Sequence, residues 1–413
     1  MMKKTNLAKL VLIFSAAVKL FAQTAANNSQ SDGVLFSFKQ NEGESSSYIS
    51  TVEEEAYFNN VLNNHAEIIN RISSTIRKTN SDGSAVIDTN YMTTNNTLLN
   101  GRDKHLVWGE ESNVTVTRKK TGELVIDDNA FMPTVRNVPV FPNKKVKIGD
   151  TWTADGKEVH DLRQLFNMKT PLIIPFTATY KYVGDVVQNG TKFNQIELYY
   201  EFYQQNSQTN MRAGSLYAAT VGYSRQVLYW DSEKGILDHY NEEFAIKIQD
   251  VYGNIYYFKG TAHSEITEFK SLNNDENLNL IQDTINTLNL ENISVKKGEK
   301  GLTISIENIQ FEPDSAILLE SEKIKLKKLS LILKLFPNDL LITGHCADRG
   351  TASARQVLSE DRAKAVAGYL EQLNVRDEKH VFTQGKGSTE PIATNNTEEG
   401  RSKNRRVEIT LMD

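Results

Sequence analysis

Apolar and polar residues alternate through the middle of the chain in short runs separated by turn sequences. Phe176–Val183 and Ile196–Phe202 are rich in aromatic and β-branched residues, and Asn189-Gly190 between them is typical of a two-residue hairpin turn. Gln226–Trp230 and Asp238–Ile248 repeat the arrangement around a second turn. Because many short strands must close or stack to bury their apolar faces, the pattern predicts a mainly antiparallel β region, either a barrel or a sandwich.

A different spacing precedes these runs. Between residues 53 and 78 apolar residues recur at three- and four-residue steps, as in Ile68, Ile72 and Ile76. Acidic residues suit the first turn of a helix, and Glu53 to Glu55 stand at the start of this stretch. The spacing therefore predicts a short helical segment at the N-terminal side of the β region.

The pattern changes again near residue 271. An Asn-rich stretch and a short amphipathic helix occupy residues 271–290, which we interpret as a linker. Beyond residue 290, predicted strands alternate with helices over 315–335 and 354–373. The sequence thus predicts a multidomain protein whose last domain is an α+β domain of order βαβαββ, with helices on one face of its sheet.

The first residues have the composition of a secretory signal peptide. Lysines precede the apolar run Leu10–Val18, and small residues surround Ala22. An uncleaved anchor is the alternative, but Lys19 shortens an already short apolar span. The expected organisation is a signal peptide at 1–25, a mainly β domain at 26–270, the linker at 271–290 and the α+β domain at 291–413.

Composition excludes several classes of function. The 413 residues have a formal net charge of −5, whereas a general nucleic-acid-binding surface is basic. A single cysteine, Cys346, excludes an intramolecular disulfide framework and a Cys-rich zinc site. His345 has no second histidine or carboxylate at metal-ligand spacing, and no nucleophile elbow, P-loop or HExxH motif occurs. We therefore expect no enzyme activity, no metal and no cofactor.

Several short motifs follow one another in the last domain. They are F-x-x-D-S at 311–315, G-H at 344–345, D-R-G-T at 348–351, L-S-x-x-R-A at 358–363, G-x-G at 385–387, N-x-T at 395–397 and N-R-R-V at 404–407. In order and spacing they resemble the OmpA-like peptidoglycan-binding domain of OmpA proteins, peptidoglycan-associated lipoproteins and MotB stators. The resemblance covers roughly residues 280–413, and the N-terminal region resembles no family that we can name.

The resemblance implies a non-covalent binder of the peptidoglycan stem peptide. The ligand group is a diamino acid, whose carboxylate suits an arginine fork and whose ammonium suits an aspartate. In the family pattern the arginine lies in the L-S-x-x-R-A helix, which makes it Arg362 here. The resemblance makes the other candidate binding residues Phe311, Asp314, Ser315, Asp348, Asn395, Thr397 and Arg405.

One position departs from the family pattern. The family's second loop reads G-H-T-D or G-H-A-D, and its aspartate falls on Ala347, with Asp348 on the neighbouring position. Either Asp348 takes over the ammonium contact or the contact is lost. A lost charge-assisted hydrogen bond costs roughly 1.5–3 kcal/mol. Weak binding, binding of another diamino acid and no binding all remain open from the sequence.

The sequence favours a periplasmic cell-envelope protein, with association to the outer membrane left open, whose last domain contacts peptidoglycan. One alternative is a degenerate domain that acts as a structural scaffold or binds other envelope proteins. Another is that the β domain is an enzyme or a carrier of a ligand or lipid, which ranks last because its sequence shows no paired catalytic residues.

The N-terminal pattern leads to a prediction about export. If residues 1–25 are a signal peptide, the protein isolated from its native cell should lack about the first 22–25 residues. Intact-mass measurement checks this, and a native protein that still begins at Met1 would contradict it.

Overall fold

A computed structural model describes residues 33–97, 106–212, 214–268, 272–312 and 315–413. The predicted signal peptide at 1–25 and the candidate residue Asp314 lie outside the described residues. The chain forms two compact units, each assembled from separate stretches. Of the described residues, the β unit comprises those up to Lys39 together with those in Glu55–Asn63 and Lys119–Thr261, and the mixed unit comprises those in Gln40–Glu54, Asn64–Arg118 and Ala262–Asp413.

Strands account for most of the regular structure in the first two thirds of the chain. They are β1 (Ser45–Phe58), β2 (Val61–Thr79), β3 (Ala85–Thr97), β4 (Leu106–Val107), β5 (Glu110–Arg118), β6 (Leu124–Val125), β7 (Val135–Arg136), β8 (Thr151–His160), β9 (Leu172–Gln188), β10 (Thr191–Gln205), β11 (Tyr217–Asp231), β12 (Ile236–Asp250) and β13 (Ile255–Glu268). A short helix, α1 (Gln208–Arg212), interrupts the series.

Helices and strands alternate in the last third. The elements are α2 (Asp275–Thr287), β14 (Ile293–Gly298), β15 (Gly301–Glu307), α3 (Glu320–Leu333), β16 (Leu340–Gly344), α4 (Ala352–Gln372), β17 (Val381–Gly385), α5 (Glu398–Asn404) and β18 (Arg406–Met412). None of the described helices has the length and apolar content needed to cross a membrane.

The β unit is an antiparallel meander in which β7, β8, β9, β10, β11 and β12 pair in sequence order. Asn189 and Gly190 join β9 to β10 with φ angles of 49° and 82°, as a two-residue hairpin turn requires. Aromatic residues from alternate strand positions form the core, with Tyr180, Tyr200 and Trp230 fully buried. The mainly antiparallel β organisation and both predicted hairpins are confirmed.

The predicted N-terminal helix is wrong. Residues 53–78 lie in β1 and β2, which are separated by Asn59 and Asn60. These two asparagines have φ angles of 49° and 68°, and consecutive left-handed residues end the first strand in a tight turn. The four-residue spacing of Ile68, Ile72 and Ile76 also suits a strand, because positions separated by an even number share one face. β-branched residues favour that alternative.

Two carboxylates are enclosed within the β unit. Glu158 accepts hydrogen bonds from the Tyr200 hydroxyl at 2.6 Å and contacts His160 Nε2 at 3.2 Å. Glu242 accepts one from the Ser224 hydroxyl at 2.6 Å. Burial raises the pKa of Glu242 to about 7, and the negative charge of Glu158 acts in the same direction, whereas the Ser224 hydroxyl opposes it.

This raised pKa predicts how stability depends on pH. Since a glutamate in the unfolded chain has a pKa near 4.3, the folded state loses stability as the pH rises from about 4.5 through 7. Glu242→Gln keeps the site neutral and should reduce the fall in thermal midpoint between pH 5 and pH 8. The exposed neighbour supplies the control, Glu243→Gln. If the thermal midpoint falls equally in Glu242→Gln, Glu243→Gln and the wild type, Glu242 is not the cause of the pH dependence.

The mixed unit is built on a six-stranded sheet of order β14-β15-β18-β16-β17-β4. Strands β16 and β17 are parallel, and β18 runs antiparallel to both β15 and β16. The predicted α+β order is thus confirmed, with α5 preceding the last strand. Unexpectedly, β4 from far upstream pairs in parallel with β17 and forms the edge of the sheet. The domain boundaries at 26–270 and 291–413 remain a prediction.

Both faces of this sheet are covered. On one face, α2, α3 and α4 contribute buried side chains such as Ile285, Leu329 and Val366 to a core shared with the strands. The opposite face presents Leu341 and Phe382, which join a second core with residues of β1, β2 and β3. The upstream strands therefore cover apolar surface that the C-terminal sequence cannot cover with its own helices.

A buried ion pair links β2 to the start of β16. Arg71 Nε lies 2.9 Å from Asp339 Oδ2, with side-chain exposures of 4% and 1%. Arg71 also donates to the backbone oxygen of Asp413 at 2.5 Å. The second carboxylate oxygen of Asp339 contacts His380 Nδ1 at 2.7 Å. Burial alone would raise the pKa of Asp339, but His380 and Arg71 hold it below its usual value.

Removal of one partner of this pair should destabilise the mixed unit strongly. Arg71→Ala leaves the Asp339 carboxylate buried without its guanidinium, a change that costs about 3–5 kcal/mol. The double variant Arg71→Met/Asp339→Leu removes both charges and should recover much of that loss. Urea denaturation provides the measurement. Equal stability of Arg71→Ala and the wild type would show that the pair contributes nothing.

Candidate functional site

The close approach of helix α4 to two strand ends creates the framework of the candidate site. A Cβ atom on Gly344, at the end of β16, would lie 2.0 Å from the Ser359 carbonyl oxygen. At the end of β17, a Cβ atom on Gly385 would lie 2.7 Å from the Glu360 backbone nitrogen. Only glycine fits at both positions. These two glycines explain the G-H and G-x-G motifs structurally.

The loop that follows β16 is fixed by backbone hydrogen bonds to its neighbours. His345 N–H donates to the carbonyl of Arg406 at 3.0 Å, and Cys346 N–H donates to that of Gly387 at 2.7 Å. Thr351 caps α4 by accepting a hydrogen bond from Ala354 N–H at 3.2 Å. Residues 345–351 are therefore held between the ends of three strands and the first turn of α4.

Arg362 lies where this loop meets the loop after β15. Its guanidinium carbon is 4.8 Å from the centroid of the Phe311 ring, and its Nε donates weakly to the carbonyl of Ser315 at 3.4 Å. Arg362 is close enough to Cys346 to affect it: burial raises the pKa of that thiol, and Arg362 opposes the rise. The fold thus brings Phe311, Ser315 and Arg362 together.

Asp348 already has an ionic partner on helix α4. Its carboxylate forms an ion pair with Arg355, with 3.0 Å between Oδ1 and the guanidinium nitrogen. Its backbone N–H donates to Asn395 Oδ1 at 3.1 Å. The Asp348 side chain is 56% exposed, while Ala347 beside it is 7% exposed. A ligand ammonium at Asp348 would therefore compete with Arg355.

The remaining predicted residues have structural contacts of their own. Asn395 Oδ1 also accepts from the side-chain amide of Asn404 at 2.9 Å. Thr397 caps α5 by accepting a hydrogen bond from Gly400 N–H at 3.1 Å. Arg405 pairs with Glu398 at 2.7 Å. Asn395 thus lies beside the loop of Asp348, whereas the contacts of Thr397 and Arg405 are with α5.

Arg355 is the residue at this site that the sequence reasoning missed. It lies one turn into α4, four residues after the Thr351 cap, and it donates to the carbonyl of Gly350 at 2.5 Å. Its spacing from the cap could have indicated that it faces the preceding loop, because residues of a first helical turn are close to the segment that leads into the helix. Asp348 therefore already has an ionic partner in this structure.

A charged cluster lies beneath the loop. His345 is 2% exposed, and its Nε2 lies 3.7 Å from Glu408. Burial lowers the pKa of His345. Burial alone would raise the pKa of Glu408, yet its contacts with His345 and Arg406 lower it to about 2. No group of three or more His, Cys, Asp or Glu side chains suited to a metal occurs in the described parts of the chain.

Residues 310–405 match the model of the OmpA family, and this stretch of the chain is an OmpA family domain. It contains all the candidate residues.

Two curated relatives match the C-terminal part of the chain. Identity to Probable lipoprotein YiaD of Escherichia coli strain K12 is 34% over 121 residues, which cover 29% of this chain and 55% of that protein. Identity to the Peptidoglycan-binding protein ArfA of Mycobacterium tuberculosis strain H37Rv is 40% over 104 residues, covering 25% and 32%. The chain therefore spans about half the length of the first relative and a third of the second.

Among solved structures, the peptidoglycan-associated lipoprotein from Burkholderia pseudomallei is 27% identical, with 26% of this chain and 87% of that chain covered and a TM-score of 0.23.

Proposed function

We propose that this chain is a non-catalytic protein of the bacterial periplasm whose OmpA family domain binds the stem peptide of peptidoglycan. The observation that supports this most directly is the position of Arg362, stacked on Phe311 where two loops converge. The name of the mycobacterial relative, a peptidoglycan-binding protein, supports the same ligand. Association with the outer membrane or with other envelope proteins belongs to the same proposal.

Arg362 is suited to the ligand carboxylate. Its guanidinium is planar and permanently charged, and two of its N–H groups can donate to the two oxygens of one carboxylate. The Phe311 ring supports one face of the guanidinium and restricts its orientation. Backbone groups of the loop at 345–351 adjoin the same space, because that loop leads directly into α4.

In the proposed site, the contact with the ligand ammonium is weaker than the contact with the ligand carboxylate. Ala347 supplies no charge, and Asp348 is paired with Arg355 at 3.0 Å. An ammonium that binds Asp348 must displace or share this partner, which reduces the net gain. We therefore expect weaker binding of a diamino acid than a site with an unshared aspartate would give.

Arg362→Ala should abolish sedimentation of the chain with purified sacculi, because the carboxylate loses its charged partner. A lost charge-assisted hydrogen bond corresponds to about a ten-fold loss of affinity or more. The control is Lys364→Ala, which removes a cation from the same helix that pairs with Glu360 at 2.8 Å. Circular dichroism should be unchanged in both variants. Wild-type binding that survives Arg362→Ala would refute the assignment of the site.

Ala347→Asp should increase binding to a stem peptide that carries diaminopimelate by about ten-fold, the scale of one charge-assisted hydrogen bond. The neutral control of similar shape, Ala347→Asn, should not produce this gain. Isothermal titration calorimetry provides the measurement. If the two variants bind the peptide equally, a missing carboxylate at this position is not what limits affinity.

The Asp348–Arg355 ion pair favours a second candidate function, in which the domain no longer binds peptidoglycan. If the wild type does not bind sacculi and Ala347→Asp does, the domain is a degenerate binder that serves as a scaffold or contacts another envelope protein. Wild-type binding that Arg362→Ala destroys supports the stem-peptide proposal instead.

A further inference from the structure

A cleft of about 480 Å³ lies in the mixed unit, away from the Arg362 site. Its lining includes Lys300 in the turn between β14 and β15, and Met412 at the end of β18. Met412 pairs with Gly301 at one end of the sheet, whereas Gly344, next to the Arg362 site, pairs with Val407 at the other. The cleft is therefore separate from the proposed stem-peptide site.

The floor of the cleft consists of short polar side chains in rows across neighbouring strands. In the first row, the Ser45 and Thr75 hydroxyls are 2.9 Å apart, Thr75 pairs with Asp88, and the hydroxyl of Thr115 donates to Asp88 at 2.6 Å. The groups of this row stand on adjacent strands, which are about 4.8 Å apart, and the hydroxyls can donate or accept whereas the Asp88 carboxylate accepts.

The second row has the same character. Ser73 pairs with Asn90, and the Asn90 amide donates to the Asn113 side chain at 2.8 Å. Hydroxyl and amide groups both donate and accept hydrogen bonds. An array of such groups on a rigid sheet is complementary to a ligand that also presents many groups of both kinds.

The charged side chains that line the cleft are of mixed sign: Arg71, Arg77 and Lys300 are cationic, and Asp88, Glu111, Glu299 and Asp413 are acidic. Arg77 donates to Asp88 at 2.7 Å, and Lys300 lies 2.5 Å from Glu111. In each of these two pairs the charge of the cation is compensated by a carboxylate, so neither pair offers a strongly charged ligand a net opposite charge. The balance favours a neutral ligand over a phosphate, a polyamine or a charged peptide.

Apolar surface is present beside the polar rows. Trp108, Val114 and Met412 contribute to the lining. Trp108 is only 6% exposed, and the ammonium of Lys300 lies over its ring at 4.5 Å from the centroid, so Val114 is the more accessible apolar residue of the lining. Sugar rings combine hydroxyl edges with C–H faces, so a mixture of polar rows and limited apolar surface suits them. The volume also lies within the range of about 300–1,000 Å³ that is usual for ligand clefts.

We propose that this cleft binds a neutral, polyhydroxylated saccharide. The hydroxyl and amide rows of β1, β2, β3 and β5 bind the ligand hydroxyls, and the limited apolar surface beside them, to which Val114 contributes, contacts a ring face. The inference stands apart from the stem-peptide proposal, because it shares no residue with the Arg362 site.

Titration calorimetry of the full chain with two neutral probes tests the proposal. Chitotetraose represents amino-sugar glycans and maltotetraose represents glucans, so the pair distinguishes the two sources of ligand. We expect saturable binding of one probe. The double variant Asn113→Ala/Thr115→Val should weaken it by about ten-fold or more, because two neutral hydrogen-bonding groups are lost.

A threonine in the β unit offers a matched control. Thr177 is an exposed strand residue whose hydroxyl donates to the cross-strand Asp155 at 2.9 Å, as that of Thr115 does to Asp88. Thr177→Val should leave saccharide binding unchanged, and so should Arg362→Ala, which separates this site from the stem-peptide site. Failure of both probes to bind, or equal binding by the double variant and the wild type, would overturn the proposal.

Discussion

The close packing of α4 against the ends of β16 and β17 is the constraint on which the candidate site depends. At Gly344 and Gly385 the helix backbone approaches the strands too closely for any side chain. The Ser359 hydroxyl accepts a hydrogen bond from Gly387 N–H at 2.9 Å, which fixes the register of the helix against the following loop. Because the helix is held there, Arg362, one turn further along α4, meets the loop of Phe311 and Ser315. The glycines and Ser359 therefore position Arg362, the arginine of the proposed site.

The sheet that bears this site depends on residues far upstream. One face of the sheet is covered by helices from the same part of the chain. On the other face, Leu341 and Phe382 are buried against β1, β2 and β3. The sheet also depends on an upstream charge, because the Asp339 side chain is 1% exposed and its carboxylate is paired with Arg71 of β2. The OmpA family domain at residues 310–405 therefore shares a hydrophobic core with strands that lie upstream of it in the chain.

Sequence patterns predicted the parts of this fold that depend on local order. Turn residues such as Asn189-Gly190 identified the hairpins, and the motifs around Arg362 identified the face on which the loops converge. Long-range partners were not predictable: nothing in the periodicity assigns β4 to a sheet whose other strands lie nearly two hundred residues later. The four-residue spacing of Ile68, Ile72 and Ile76 suits both a helix and a strand, and only the turn at Asn59 and Asn60 decides between them. The Asp348–Arg355 ion pair depends on side-chain geometry that spacing alone does not specify.

Hydrogen–deuterium exchange with and without a diaminopimelate-containing stem peptide tests the location of the proposed binding most directly. The account predicts slower exchange in the loop at 345–351, which lies beside Arg362, and around Ser315 on the facing loop. Exchange in β8 to β12 should stay the same. Slower exchange that is confined to the β unit, or no change at 345–351 under saturating peptide, would contradict the account.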